Sequence, residues 1–308
     1  MKFAALILAA ALLPQAPIER RPPPPQVPTI RVQSRLVNVA VNVVDAQGAP
    51  VAGLTQDDFQ ISEDNHPQKI AFFEKESSTP LSIVLAIDSS ESVLSNMRLE
   101  KEAAKHFVNA LLRDQDELDL MDFSDTVREI VPFTNQKKQI ERGMNQLEPG
   151  DETALYDAIY LGSQRLATTR ADAGRRRVLV LITDGGDTKG SRYEQALEQA
   201  QRAGAMVYSL IIVPIAADAG RNTGGEHALI QMAEDTGGKY YYVEDPKDLA
   251  PAFAHISDDL RTQYVLGYYA PRGSIDSAFR TIKVQMKDPA LRGAYRLRYR
   301  TGYYADTR

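Results

Sequence analysis

The 308-residue chain is 43% apolar and 25% charged, the balance of a globular protein with enough material for two domains of ordinary size. A formal net charge of −5, with no basic run longer than Arg175-Arg176-Arg177, argues against a nucleic-acid partner or an anionic membrane surface; the triplet reads as a solvated helix-to-strand loop rather than a phosphate site. The lack of cysteine excludes disulfides, thiolate metal sites, a cysteine nucleophile and lipidation through sulfur.

Lys2 is followed by an apolar run from Phe3 to Leu13. Eleven residues make roughly 16 Å of helix at ~1.5 Å per residue, about half of a bilayer core, so residues 1–17 read as a secretory signal peptide rather than a membrane span. Pro17 directly after Ala16 leaves the cleavage point undefined. Seven of the fifteen residues from Pro14 to Pro28 are proline, which favours an extended polyproline II spacer, taken as residues 18–29. No later stretch approaches eighteen apolar residues, so the mature chain is expected to lack a membrane span.

Strict alternation begins near Ile30, with Val37, Val39, Val41 and Val43 on one face of a half-buried strand. Asp45-Ala46-Gln47-Gly48 is a turn, Phe59 and Ile61 mark a strand, Glu63-Asp64-Asn65 a second turn, and Ile70 to Phe73 another strand. This all-β segment, 30–78, is short for an independent sandwich. The other end of the chain, 263–308, offers matching faces: Tyr264 to Tyr269, then Ile282, Val284 and Met286, then Tyr295, Leu297 and Tyr299. One small β-sandwich-like domain formed by the N- and C-terminal segments would bury all of them; two separate extensions of a central sheet would be the other arrangement.

The middle, 79–262, alternates continuous apolar runs with amphipathic helices. Leu81–Ile87, Val178–Ile182 and Met206–Val213 suit parallel strands covered on both faces. Ala103, Phe107 and Leu111, then Leu155, Ala158, Ile159 and Leu166, then Tyr193, Ala196, Leu197 and Ala200 recur at helical spacing. The pattern predicts an α/β, doubly wound, mostly parallel sheet with functional loops at the carboxyl ends of its strands.

Three of those loops are rich in oxygen side chains. Asp88-Ser89-Ser90-Glu91-Ser92 follows the first run as a D-x-S-x-S motif, Thr183-Asp184-Gly185-Gly186-Asp187 follows the second, and Thr153 stands in Gly150-Asp151-Glu152-Thr153, just before a helix. A lone D-x-S-x-S arises by chance in roughly one chain in fifteen of this length, so its placement after a strand carries more weight than its letters. Capping of helix termini is the alternative role for such Ser and Asp residues. Oxygen donors without His or Cys suit Mg²⁺, with Mn²⁺ or Ca²⁺ as alternatives. Two carboxylates and three hydroxyls would leave an ion electrophilic enough to exchange a water for an incoming Asp or Glu carboxylate. Asp88 and Asp184 can act on the ion directly or by holding its waters.

The segments IVLAIDSSESV, GDETALYDAI and VLVLITDGGDT, in that order, resemble the von Willebrand factor A family, also called the integrin I-domain type. The resemblance covers about 80–262 and implies a metal-ion-dependent adhesion site in which Ser90, Ser92 and Thr153 contact the ion and Asp88 and Asp184 support it. It also implies a short antiparallel edge strand at Asp119–Ser124. The flanks VNVAVNVVDAQGAPVAGLTQDDFQISEDNHPQKIAFFE, QYVLGYYAP and YRLRYRTGYYA are similar to exported bacterial proteins of the same family. Glu91 and Glu152 add acid beside the motif, and their contact with the metal is an open question.

Catalytic signatures are lacking. His66 falls in a turn and His106, His227 and His255 in helices, and no H-E-x-x-H, G-x-S-x-G, P-loop or G-x-G-x-x-G pattern occurs. The tyrosines at 240–242, 268–269 and 303–304 are explained by strand packing rather than a sugar platform. The reading is therefore a non-enzymatic, exported binding module of the periplasm or cell surface, whose divalent cation captures a partner protein's carboxylate. A cell-envelope assembly subunit with an ordering metal, and a metal-assisted hydrolase, are the alternatives; oligomeric state and ligand identity are not readable.

Overall fold

The computed structural model describes residues 36–75, 79–91, 97–169, 175–190, 192–213, 223–270 and 277–305. The expected signal peptide and proline-rich linker lie outside these residues, as does Ser92.

The chain enters through β1 (Leu36–Val44), whose valines alternate as its period of two requires, leaving Val37, Val39, Val41 and Val43 buried. Asp45 then turns the chain by accepting the Gln47 and Ala49 amides. Three short strands follow: β2 (Phe59–Glu63), β3 (His66–Gln68) and β4 (Ile70–Glu74). The reversal between β2 and β3 places Asp64 and Asn65 at positive φ, a conformation these residue types tolerate.

The α/β portion begins with β5 (Leu81–Asp88), followed by α1 (Met97–Leu111), β6 (Glu117–Phe123), β7 (Val127–Thr134), α2 (Lys137–Gly143) and α3 (Leu155–Thr168). It continues with β8 (Arg176–Thr183), α4 (Tyr193–Ala203), β9 (Ala205–Ile212), α5 (Thr223–Thr236), β10 (Lys239–Val243) and α6 (Leu249–Arg261). The strands form one six-stranded sheet in the order β10-β9-β8-β5-β6-β7, with only β7 antiparallel. Side-chain alternation assigns the helices to its faces. Ile83, Leu85 and Ile87 join a core with α1, α2 and α6, whereas Val84 and Ala86 join one with α3, α4 and α5. Both faces are covered, which explains why β5 and β9 are buried along their whole length.

The exit from α6 leads back to the first strands through β11 (Tyr264–Tyr269) and β12 (Phe279–Met286), then α7 (Pro289–Ala294), β13 (Arg296–Arg298) and β14 (Gly302–Tyr304). Two antiparallel sheets result, β13-β1-β11-β4 and β14-β12-β2-β3, each mixing strands from both ends of the chain. Their inner faces share one apolar cluster that includes Val39, Ile61, Leu266 and Val284. The ends thus make a small sandwich of their own rather than extending the central sheet. Among the described residues no helix is long and apolar enough to cross a membrane.

Three expectations need correction. The segment Asp119–Phe123 belongs to β6, which runs parallel to β5 in the sheet interior; the antiparallel edge is β7, because the reversal comes after Ser124. His66 opens β3 rather than sitting in the turn. The arginine triplet is not a solvated loop, since Arg176 starts β8 and is only 7% exposed.

The sandwich core also holds a carboxylic side chain. Glu63 is buried, and its Oε2 accepts hydrogen bonds from the hydroxyls of Tyr268 at 2.6 Å and Tyr303 at 2.8 Å, joining the two sheets. Burial, reinforced by that hydrogen bond, raises the Tyr268 hydroxyl's pKa above its ordinary value. Glu63→Leu should lower stability by about 2–4 kcal/mol in urea unfolding, because it strands two buried hydroxyls, and Tyr268→Phe by about 1 kcal/mol.

Candidate metal centre

The strand order fixes where a site can form. The chain runs outward from β5 through β6 to β7, then returns to β8 and proceeds the other way, so the switch point of the sheet lies between β5 and β8. Loops diverge there at the carboxyl ends of the strands and leave a crevice. Asp88 is the last residue of β5, and Asp184 directly follows β8.

A ring of hydrogen bonds ties three loops together at this point. The Thr183 hydroxyl donates to Asp88 Oδ2 at 2.7 Å, joining the first loop to the third. Gly150 N donates to the Ser89 carbonyl at 3.2 Å, joining the second to the first. Thr153 N donates to Thr188 Oγ1 at 2.8 Å while Thr188 N donates to the Thr153 carbonyl at 2.9 Å, closing the ring between second and third. Two glycines permit this approach. A side chain at Gly150 would meet Asp125 Oδ2 at 2.5 Å, and Gly185 turns the third loop with φ +86°.

Within the ring the sequence-derived residues fall at two levels. Asp88 is fully buried, with Oδ1 accepting the Ser90 amide at 2.9 Å and Oδ2 held by Thr183. Ser90, Thr153 and Asp184 line a cavity of about 420 Å³ above it, together with Glu91, Asp151 and Thr188. The structure therefore brings four of the five expected residues to one place, and Ser92 lies outside the described residues. Among the described residues no three His, Asp or Glu side chains cluster closely enough to cage an ion. The residues lining the cavity offer hydroxyls from Ser90, Thr153 and Thr188 and carboxylates from Glu91, Asp151 and Asp184, an all-oxygen set suited to a hard divalent cation. Glu152 forms an ion pair with Lys189, which assigns its charge to the loop rather than the cavity. Asp187 caps the turn into α3, accepting from Tyr156 N at 3.2 Å and Gly190 N at 3.2 Å.

Electrostatically the site is an excess of buried negative charge. Burial pushes the Asp88 carboxyl up to about 6, against the hydrogen bonds from Ser90 and Thr183 that favour its ionised form. Glu100, on the first turn of α1, is a residue that sequence reasoning missed. It is 0% exposed, both carboxyl oxygens lack a hydrogen-bond partner among the described residues, and burial followed by the charges of Asp88 and Asp184 pushes it up to about 8. Its signal was available: an acid at a position flanked by the buried Ala103, Ala104 and Phe107 of the same helix.

Residues 82–259, more than half of the chain, match the von Willebrand factor type A (VWA) domain. The chain belongs to that family. VWA domains mediate protein–protein interaction. Solved structures share the fold at low identity. The proximal thread matrix protein 1 of the mussel byssus is 15% identical with a TM-score of 0.51, covering 70% of this chain and 51% of its own. The pilus adhesin SpaC of Lactobacillus rhamnosus GG is 11% identical with a TM-score of 0.50, covering 80% and 47%. An aerotolerance-related membrane protein of Bacteroides fragilis is 19% identical with a TM-score of 0.46, covering 58% and 98%. No curated protein matches this sequence.

The buried acid makes stability without metal depend on pH. The folded pKa of Glu100, about 8, exceeds its ordinary 4.5, so the folded state holds the proton more tightly and stability falls as pH rises between these values. Glu100→Gln should flatten that slope and raise metal-free stability at pH 8 by about 1–3 kcal/mol, measured by denaturant unfolding in chelator across pH 5–9.

Proposed function

We propose that this VWA-domain protein is an exported, non-enzymatic binding module in which a divalent cation at the β5/β8 switch point captures a carboxylate of a protein partner. Ser90, Thr153 and, from the D-x-S-x-S motif, Ser92 would contact the ion through their hydroxyls. Asp184, at the cavity wall, and Asp88, beneath it, would hold the ion or its waters. Mg²⁺ is the expected metal, with Mn²⁺ or Ca²⁺ as alternatives.

The observation that carries this reading is the cavity itself: hydroxyl and carboxylate residues from three separated loops, Ser90 and Glu91, Asp151 and Thr153, and Asp184 and Thr188, line one space beside a buried carboxylate whose own oxygens are already engaged. A cation there would relieve the crowding of negative charge at Asp88, Asp184 and Glu100. Few anionic donors in direct contact would leave it electrophilic, and an Asp or Glu of a partner could then displace one of its waters. The export assignment rests on the apolar run from Phe3 to Leu13, and periplasm and cell surface are both compatible with it.

Isothermal titration of the purified protein should show one Mg²⁺ or Mn²⁺ per chain. Asp88→Asn, which keeps one acceptor for Ser90 N and turns an amide donor toward the Thr183 hydroxyl oxygen, should lower that affinity about ten-fold or more without unfolding the domain, and Thr153→Val should act in the same direction. In pull-downs from the native envelope fraction, partner capture should vanish with chelator and in both variants. Saturating divalent cation that produces no heat, or capture indifferent to chelator, would refute this mechanism.

A further inference from the structure

The loop that carries Thr153 is shaped from outside itself. Five consecutive amides donate to other segments: Gly150 N to the Ser89 carbonyl at 3.2 Å, Asp151 N to Asp125 Oδ2 at 3.4 Å, Glu152 N to Asp125 Oδ1 at 3.1 Å, Thr153 N to Thr188 Oγ1 at 2.8 Å and Ala154 N to the Ser124 carbonyl at 2.8 Å. The two amides immediately before Thr153 thus end on one carboxylate. Asp125 stands at the tip of the hairpin between β6 and β7, in none of the three loops that supply the oxygen donors. A carboxylate can accept from two adjacent amides with one oxygen each, and its charge strengthens both bonds relative to a neutral acceptor.

The approach between hairpin and loop is close. A Cβ at Gly150 would lie 2.5 Å from Asp125 Oδ2 and 2.6 Å from Ser124 Oγ, so the loop passes over the hairpin tip where only glycine fits. On its other side the loop is tied to Thr188 by the Thr153 amide and to Lys189 by the Glu152 ion pair. Thr153 is therefore clamped between the hairpin and the third loop while it lines the metal cavity. Asp122 and Asp187 grip amides farther along, at Glu148 and Tyr156, which leaves Asp125 as the carboxylate nearest to Thr153 in this set. Asp125 is not among the residues lining the cavity, and both its oxygens are engaged by the loop.

We propose that Asp125 is a positioning residue of the metal centre: without touching the ion, it fixes the threonine loop through the Asp151 and Glu152 amides and so sets where the Thr153 hydroxyl meets the cation, a role that presupposes the metal site proposed above. Mn²⁺ uptake by the full chain would be titrated calorimetrically in wild type, Asp125→Asn, Asp125→Ala, Thr153→Val and Asp125→Ala/Thr153→Val, with water-proton relaxation of the bound Mn²⁺ as the spectroscopic readout. Asp125→Ala should weaken uptake about ten-fold or more. It should also raise relaxation per bound ion, because a water takes the place of the Thr153 hydroxyl. Asp125→Asn retains one acceptor, for Glu152 N, and should lose less. In the Thr153→Val background Asp125→Ala should cost less than about two-fold, since the group it positions is gone. Equal affinity in wild type and folded Asp125→Ala overturns the proposal, as do losses that multiply in the double variant. Asn and Ala variants that are equally weak overturn it too, because charge alone would then account for the effect. If Asp125→Ala does not fold, Asp125→Asn with and without Thr153→Val decides by the same comparison. Wild-type protein that takes up no Mn²⁺ fails the metal reading itself, and this role falls with it.

Discussion

One hydrogen bond, from the Thr183 hydroxyl to the buried Asp88 carboxylate, joins the two strand ends between which the sheet reverses its winding. Every other feature of the candidate metal centre is arranged around that link. It sets the separation of the first and third loops, and the reciprocal bonds between Thr153 and Thr188 then draw the threonine loop onto both. Because Asp88 spends one oxygen on Thr183 and the other on Ser90 N, it shapes the floor of the cavity rather than its wall. Ser90, Thr153 and Thr188 line the opening together with Glu91, Asp151 and Asp184. The protein thus uses a fully buried carboxylate as a structural acceptor between the loops.

That choice has an electrostatic consequence. Asp88, Asp184 and Glu100 interact through a poorly solvated interior, and the pKa values of Asp88 and Glu100 rise accordingly. Such a site can be neutralised by protons or by a cation, and the two compete. Glu100 matters here although it lies on α1 rather than in a motif: its buried carboxyl, pushed up to about 8, exchanges a proton beside Asp88 and Asp184 without lining the cavity.

The parts of the fold that were legible in the sequence are those where packing is governed by period. Continuous apolar runs such as Leu81–Ile87 announced strands buried on both faces, and the alternating valines of β1 announced a strand with one buried face. The D-x-S-x-S, threonine and Thr-Asp-Gly segments were legible because chemistry restricts their letters, and four of the five residues drawn from them lie together. The parallel direction of the continuous apolar runs was legible, but that of one further segment was not. The segment Asp119–Phe123 reads alike as parallel interior or antiparallel edge, and only the reversal at β7 decides. Burial of charge was only partly legible: Glu100 shares a helix face with Ala103, Ala104 and Phe107, whereas Arg176 looks like a surface residue until α6 is in place.

The same strand explains why charge separates along the sheet. β8 begins at Arg176 and ends at Thr183, so a buried arginine and a threonine holding a carboxylate terminate one fully apolar ladder, Val178 to Ile182. Parallel strands place all their beginnings at one edge of the layer and all their ends at the other. Acidic loops therefore gather at one pole, and basic side chains meet the β-sandwich at the other. The sandwich is made of both chain ends, and its strand β11 follows directly from α6, whose Leu260 carbonyl holds Arg176.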